Sequence, residues 1–151
     1  MAKSIGWHAA ALFVAALGAA GVSQPSRAAE SPPAARQAVH HRVVFQVSDA
    51  SPKKWNLTLN NVKNLRQALG GSVAIEIVNY GPGIGMLKSN SVVGTRVADA
   101  VRHGVKVVAC ENTMKAQHLT KADMLPTIGY VPGGVVEIMK REAEGWSYIK
   151  P

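Results

Sequence analysis

The chain has 151 residues and a formal net charge of +8; 47% of its residues are hydrophobic, and it contains a single cysteine. This length suits one domain, and one cysteine excludes an internal disulfide. The basic residues are scattered, and aromatic residues make up only 5% of the chain. Nucleic-acid binding favours a clustered basic stripe with aromatic side chains for stacking, so the composition argues against nucleic acid as a partner.

The first 28 residues have the features of a secretory signal peptide. Lys3 supplies a positive charge, residues 5–22 form an apolar run, and Ser26-Arg27-Ala28 has small residues where signal peptidase needs them. This pattern predicts cleavage after Ala28, and an uncleaved N-terminal anchor is the alternative. The apolar run is short for a membrane span and no second one follows. We therefore expect an exported protein with no stable membrane insertion after signal cleavage, periplasmic if the source is a Gram-negative bacterium.

Residues 29–40 are rich in alanine and proline and predict a flexible leader before the folded domain. Loss of Lys3 and Arg27 with the signal would leave 15 of the 17 basic residues against 9 acidic ones, a net charge of +6. The remaining domain, residues 41–151, is long enough to bury one ordinary hydrophobic core. That core must stabilise the fold, because no disulfide can.

Short apolar runs alternate with amphipathic stretches along the domain. The runs with the composition of strands are residues 42–47, 73–78, 105–110, 127–131 and 146–149. The stretches with helical spacing are residues 52–69, a segment from near Ser89–Ser91 to Gly104, short pieces within 113–125, and a segment from Gly133 to Gly145. This alternation predicts an α/β fold: a single-domain three-layer sandwich with a mainly parallel sheet of about five strands.

Local signals predict where two of these segments begin. Ser51 precedes Pro52, which is the order of an N-cap followed by proline in the first helical position. Thr120 and Asp123 have the spacing of a capping box.

Cys110 is the residue best placed to carry chemistry. It ends the third predicted strand, and reactive groups in open parallel sheets collect at the carboxyl ends of strands. Asn112 or Thr113 is expected to cap the helix that follows, and a helix N-terminus favours the thiolate. The alternative is a buried, inert cysteine, since free cysteine is among the most buried residue types.

Two further side chains are candidates for supporting a thiolate at Cys110. Lys115 and His118 follow on the next segment and would add positive charge, whereas Glu111 would disfavour the thiolate. A nucleophilic Cys–His pair is conceivable but has no local signature here. No third ligand has the spacing of a metal site, so we expect no metal and no cofactor.

A Gly/Pro-rich loop follows the second predicted strand. We single out Tyr80, Gly81, Gly83 and Gly85 as a candidate ligand loop that could border a small pocket beside Cys110. The loop is not the dinucleotide-binding fingerprint, because it lacks the GxGxxG spacing and does not follow the first strand. The alternative is a turn that lets the chain pass close to a neighbouring segment.

Several segments together resemble the DsrE/DsrF-like family. They are Val43–Ser48, Asn60–Leu69, Ile75–Val78 before Gly81-Pro82-Gly83, Val107–Asn112, Val131–Val135 and the tail Gly145–Pro151. The resemblance implies a small α/β sandwich that associates as a homotrimer or homohexamer. It also implies that Cys110 matches the cysteine that, in sulfur-relay members, accepts a persulfide sulfur and passes it to a thiol partner protein.

The leading functional hypothesis is therefore a sulfur-binding or persulfide-transfer protein that acts through Cys110, a sulfur carrier more than a turnover enzyme. One alternative is a non-catalytic module that binds a small ligand at residues 79–87 and the strand ends. Another is an oligomeric structural module of the periplasm. The three hypotheses differ in whether the thiol is reactive in the native protein.

Overall fold

The computed structural model describes residues 41–151, so the predicted signal peptide (residues 1–28) and leader (residues 29–40) lie outside the described part. The strands are β1 (His41–Val47), β2 (Val73–Asn79), β3 (Lys106–Cys110), β4 (Gly129–Val131) and β5 (Ser147–Ile149). The helices are α1 (Pro52–Leu69), α2 (Gly94–Arg102), α3 (Glu111–Ala116) and α4 (Gly134–Ala143). None of these helices has the length and apolar character needed to span a bilayer.

The five strands form one sheet in the order β4-β3-β2-β1-β5, and every pairing is parallel. The central strands are buried on both faces, which is why their sequences are nearly continuous apolar runs. Helices cover both faces of the sheet. The structure thus confirms the predicted α/β three-layer sandwich.

The handedness of the crossovers explains which helix covers which face. From β1 to β4 the chain moves across the sheet in one direction, and the next step returns to the far side of β1 to add β5. Right-handed crossovers therefore place the first three helices on one face and the last helix, α4, on the other. The packing agrees, because Leu59, Val97 and Met114 join the larger core cluster and Ile138 of α4 joins the smaller one.

Some predicted boundaries are wrong, each for a local reason. The second helix begins at Gly94 and not near Ser89–Ser91, because that stretch forms turns in which the Gly94 N–H donates to the Ser91 carbonyl at 3.0 Å. The fourth strand is shorter than predicted and begins at Gly129. The third helix begins at Glu111, earlier than the predicted 113–125 region.

The two capping predictions have different outcomes. Ser51 occupies the N-cap of α1 and Pro52 is its first residue, but the Ser51 side chain makes no capping hydrogen bond. Thr120 and Asp123 form the predicted capping box around a 3-10 turn at Lys121–Asp123. In it the Asp123 carboxylate accepts from the Thr120 N–H at 2.8 Å and from the Thr120 hydroxyl at 2.7 Å.

A charge cluster around the buried Glu76 lies beneath α4 in the middle of the sheet. The Glu76 side chain on β2 is fully buried, with Lys106 Nζ 3.0 Å from one carboxylate oxygen and Arg141 Nε hydrogen-bonded to the other. Arg141 also reaches Glu137 at 2.7 Å. Burial raises the pKa of Glu76 above its ordinary value, and the two cations oppose the rise without cancelling it. The cluster ties α4 to the strands below it.

Candidate functional site

The sheet has a topological switch point between β3 and β4. These strands are neighbours, yet the helices that leave their carboxyl ends, α3 and α4, lie on opposite faces. Such a divergence opens a crevice at the strand ends, and it is where open α/β sheets bind ligands. Cys110 is the last residue of β3 and therefore lies at this crevice.

The Cys110 side chain lies at the N-termini of two helices. Cys110 itself is the N-cap residue of α3, and the backbone N–H of Gly134, the first residue of α4, donates to Cys110 Sγ at 3.2 Å. Both helices thus direct N–H groups of their first turns and the positive ends of their dipoles toward the sulfur. The thiol is 5% exposed, so little water competes with these donors.

Hydrogen bonds outweigh burial in setting the state of this thiol. Burial alone raises the pKa of Cys110, because it disfavours the charged form. Donation from the Thr113 hydroxyl and from the backbone N–H groups of Thr113, Gly134 and Asn112 lowers it, and the balance lies below the ordinary value. The geometry therefore favours a thiolate, which is the nucleophilic form of cysteine.

The sequence predicted Asn112 or Thr113 as the cap of α3, but Cys110 is the N-cap residue. Thr113 lies in the first turn of the helix, beside the sulfur. Its hydroxyl oxygen accepts the Gly81 N–H at 3.0 Å. A hydroxyl that accepts one bond still has its own proton to donate, and the interaction of this hydroxyl with the sulfur lowers the pKa of Cys110. Thr113 thus connects the loop after β2 to the thiol.

Replacing Thr113 by valine should weaken the thiolate. Thr113→Val keeps the shape and removes the hydroxyl donor, so we expect a higher pKa for Cys110 and slower alkylation of the native protein by iodoacetamide at neutral pH. A hydrogen bond to a charged group contributes about 1.5–3 kcal/mol, which corresponds to a rate loss of roughly ten- to a hundredfold. Thr113→Ser retains the hydroxyl and should react like the wild type; an unchanged rate in the valine variant would contradict this role.

Asn112 is also in the first turn of α3 and is not a cap. Its backbone N–H donates to the Pro132 carbonyl at 3.2 Å and also lowers the pKa of Cys110. This bond joins the start of α3 to the segment that leads into α4. The two helix N-termini are thereby held together around Cys110.

Tyr80 forms one wall of the site. A Cβ built on Gly134 would lie 2.9 Å from Tyr80 Cβ and Cδ1, so only glycine allows the tyrosine to pack against the residue that donates to sulfur. Burial raises the pKa of Tyr80, the neighbouring Tyr148 and the charge of Cys110 add to the rise, and a hydrogen bond with Ser48 opposes it. Tyr80 therefore keeps its proton at neutral pH beside the sulfur.

The other residues of the predicted ligand loop, Gly81, Gly83 and Gly85, allow a turn and close packing of the backbone. Residues Gly81–Leu87 form a 3-10 segment and not an open loop. Gly81 has a positive φ of 52°, and its carbonyl accepts from Gln117 Nε2 at 3.2 Å. Gly83 passes against the end of β1 and Gly85 against the Trp55 ring. These contacts match the alternative interpretation of the loop as a close crossing of chain segments.

The structure does not bring Lys115 or His118 into the group of residues that sets the pKa of Cys110. Both side chains are exposed, and His118 follows α3 with a positive φ of 53°. Within residues 41–151, no three histidine, cysteine, aspartate or glutamate side chains form a group that could hold a metal ion.

Gly134 and the polar groups beside Tyr80 are residues of the site that were not predicted from the sequence. Gln46 Nε2 donates to Ser48 Oγ at 3.1 Å, and the Tyr148 hydroxyl donates to Gln46 Oε1. The signal for Gly134 was present, since it opens a helix after the strand next to Cys110. The sequence held no signal for Ser48 and Tyr148, because these residues come close to each other only when β1 pairs with β5.

Comparison with known proteins shows the family of the chain. No family model matches it, and neither does any curated protein. A solved structure from Methanobacterium thermoautotrophicum, the protein of unknown function MTH1491, is 36% identical, with a TM-score of 0.71 over 74% of this chain and 99% of its own. The chain belongs to the same family as MTH1491.

Two more distant structures share the fold of the MTH1491 family. The conserved protein of unknown function BT1422 from Bacteroides thetaiotaomicron has a TM-score of 0.64 at 10% identity, over 76% of this chain and 98% of its own. The ychN protein from E. coli has a TM-score of 0.56 at 10% identity, over 74% and 99%. At this identity the likeness concerns the fold alone.

Proposed function

We propose that this protein is a sulfur carrier in which Cys110 accepts and releases a persulfide sulfur. The observation that carries the proposal is the position of Cys110 Sγ at the switch point of the sheet, with N–H donors from two helix N-termini and the Thr113 hydroxyl around it. The resemblance of the sequence to the DsrE/DsrF-like family supports the same chemistry, since Cys110 matches the sulfur-carrying cysteine of its relay members.

The chemistry needs a nucleophile and no cofactor. The Cys110 thiolate attacks the outer sulfur of a donor persulfide R–S–SH, a new S–S bond forms, and the donor leaves as the thiolate R–S⁻. The product is the Cys110 persulfide. A second thiolate then attacks its outer sulfur, takes that sulfur as R′–S–SH, and leaves Cys110 as a thiolate again. Each step exchanges one S–S bond for another, so no net oxidant or reductant is required.

The site stabilises the charged sulfur at both ends of this cycle. The donors from Gly134, Asn112 and Thr113 stabilise the resting thiolate and the thiolate regenerated on release. Because Cys110 is only 5% exposed, the crevice favours a small donor or a terminal persulfide over a bulky disulfide. The sulfur exchange would take place outside the cytoplasm if residues 1–28 act as the predicted signal.

Cys110→Ser should abolish sulfur uptake by the native protein. Incubation with glutathione persulfide, followed by intact mass spectrometry, should show a gain of one sulfur atom in the wild type that dithiothreitol removes. The serine variant should show no gain, because it lacks the acceptor. A sulfur adduct that persists in Cys110→Ser, or a wild type that takes up none, would overturn the proposal.

We also propose that the protein associates with copies of itself through the outer face of α4. Val135, Val136 and Met139 are 54%, 54% and 64% exposed on this helix, and Tyr148 beside it is 41% exposed. Exposed apolar side chains grouped in this way are typical of interfaces. The family resemblance implies a homotrimer or homohexamer, and this face adjoins the helix N-terminus that donates to Cys110.

Met139→Glu should dissociate the assembly, because it places a charge in the apolar face. Sedimentation velocity of the wild type should give a trimer or hexamer, and the variant should sediment mainly as a monomer with an unchanged circular dichroism spectrum. Lys140→Glu, a charge reversal at the neighbouring exposed position, serves as the control for charge alone. A wild type that is monomeric at high concentration would contradict the proposal.

A further inference from the structure

A groove lies between α1 and α2, on the face of the sheet opposite α4. Its volume is about 630 Å³, within the range of small-ligand sites. Leu59 and Val62 form its base but are almost fully buried, so the apolar surface open to a ligand includes Ala100, which is partly exposed. The groove therefore has room for a ligand and an apolar surface against which a ligand could pack. It contains none of the residues of the Cys110 site.

The rim of the groove has more positive than negative charge. Four lysine and arginine residues, Lys63, Arg66, Arg96 and Arg102, line it together with His103 and one acidic residue, Asp99. Asp99 pairs with Arg102 at 2.9 Å. Across residues 41–151, the other three cations make no ion pair with a carboxylate. Three positive charges thus face a partly apolar groove without a counter-charge.

Arg96 is the most informative of these cations. It lies in the first turn of α2, at the positive end of the helix dipole, where a cation is unfavourable by about 0.3–1 kcal/mol. Two neutral amides of α1 hold its guanidinium in place: Asn60 Oδ1 accepts from Nη2 at 2.7 Å, and Asn56 Oδ1 accepts from Nη1. This arrangement fixes the guanidinium without neutralising it. The two hydrogen bonds tie α2 to α1 and leave the positive charge of Arg96 at the groove without a carboxylate partner.

The chemistry of the groove selects a class of ligand. Guanidinium groups recognise carboxylates, phosphates and sulfonates through paired N–H donors. The apolar surface selects an apolar or aromatic body next to the anionic group. The limited volume favours a small molecule over a macromolecule.

We propose that the groove between α1 and α2 binds small amphipathic organic anions, with the anionic group held by Lys63, Arg66 and Arg96 and the apolar body lying over Ala100. This site is independent of sulfur transfer at Cys110, because it lies on the other face of the sheet and shares no residue with that site.

The test uses 8-anilino-1-naphthalenesulfonate, a fluorescent anion with an aromatic body, titrated into the native protein. We expect saturable binding, and a loss of affinity on the order of tenfold in the double variant Lys63→Gln/Arg66→Gln, because two charged donors are removed. Neither side chain forms an ion pair in the described part of the chain, so the variant should remain folded, which circular dichroism verifies. Lys140→Gln removes an exposed charge on the opposite face and should bind like the wild type.

Other outcomes would overturn the proposal. Unchanged affinity in the double variant, or binding lost in Met139→Gln, would show that the dye binds the apolar face of α4. Equal affinity for N-phenyl-1-naphthylamine, which lacks the sulfonate, would show that the cations play no part. Binding of a poly-glutamate peptide without binding of the dye would assign the groove to acidic proteins. None of these measurements depends on Cys110, so failure here leaves sulfur uptake untouched.

Discussion

Gly83→Ala is expected to destabilise the domain by about 3 kcal/mol, because there is no space for a side chain at this position. A Cβ on Gly83 would lie 2.2 Å from the Val47 carbonyl oxygen and 2.6 Å from its carbonyl carbon. The same oxygen accepts the Tyr80 N–H at 3.1 Å. Because these atoms belong to the backbone, no side-chain rotation relieves the clash, and the 3-10 segment must move away from β1.

The neighbouring Gly81 provides a matched control. Its φ is +52°, but a Cβ there would meet nothing within 4 Å. Gly81→Ala should therefore cost only about 1 kcal/mol of backbone strain. Urea unfolding followed by circular dichroism compares the two variants. Equal destabilisation would show that the close crossing at Val47 is not what requires glycine at Gly83.

Arg141→Met should destabilise the domain by about 3 kcal/mol at neutral pH. The substitution keeps the apolar stem but removes the cation from Glu76, which is fully buried, and from Glu137. A buried carboxylate that loses a partner retains its full desolvation cost, which is why such losses are large. Lys106 remains 3.0 Å from Glu76 and limits the effect.

The destabilisation should also depend on pH, with a definite sign. Burial already raises the pKa of Glu76 above 4.5, and loss of Arg141 raises it further. In the wild type, burial alone would raise the pKa of Glu137, but Arg141 and Lys106 hold it below its ordinary value. Loss of Arg141 therefore raises the pKa of Glu137 as well. The native variant then binds protons that the unfolded chain has released, so its stability falls relative to the wild type as pH rises above about 4.5.

Urea unfolding of wild type and Arg141→Met across the range from acid to neutral pH measures this dependence. The difference in free energy of unfolding should be smallest in acid and largest near neutral pH. Lys54→Met removes an exposed pair with Asp49 and should change stability by less than about 1 kcal/mol at every pH. If the difference in free energy of unfolding became smaller toward neutral pH, Glu76 would not be a buried carboxylate paired with Arg141.

The fold was predictable because its signals are local and periodic. Apolar runs of strand length alternate with amphipathic stretches, and this order permits few topologies other than a parallel sheet with helices on both faces. The position of Cys110 at the end of a strand followed from the same pattern. The start of α2 was missed because the apolar Val93 continues the helical spacing although it precedes the helix.

The candidate site was only partly predictable, because most of its contacts are long-range. Asn112 and Thr113 could be named from their position after Cys110. Gly134 donates to a sulfur 24 positions earlier in the chain, and this contact exists only because β4 lies beside β3. Strand order is not encoded in the local pattern. Lys115 and His118 were nominated for their charge, but α3 ends in a direction that leaves them in solvent.

The pH dependence of Cys110 alkylation tests the central claim most directly. Iodoacetamide reacts with the thiolate, so the rate against pH gives the pKa of Cys110 in the native protein and, in urea, in the unfolded chain. The donors from Thr113, Asn112 and Gly134 predict a native midpoint below that of the unfolded chain. A native midpoint at or above the unfolded one, or a thiol that reacts only after unfolding, would show that Cys110 is a buried structural residue.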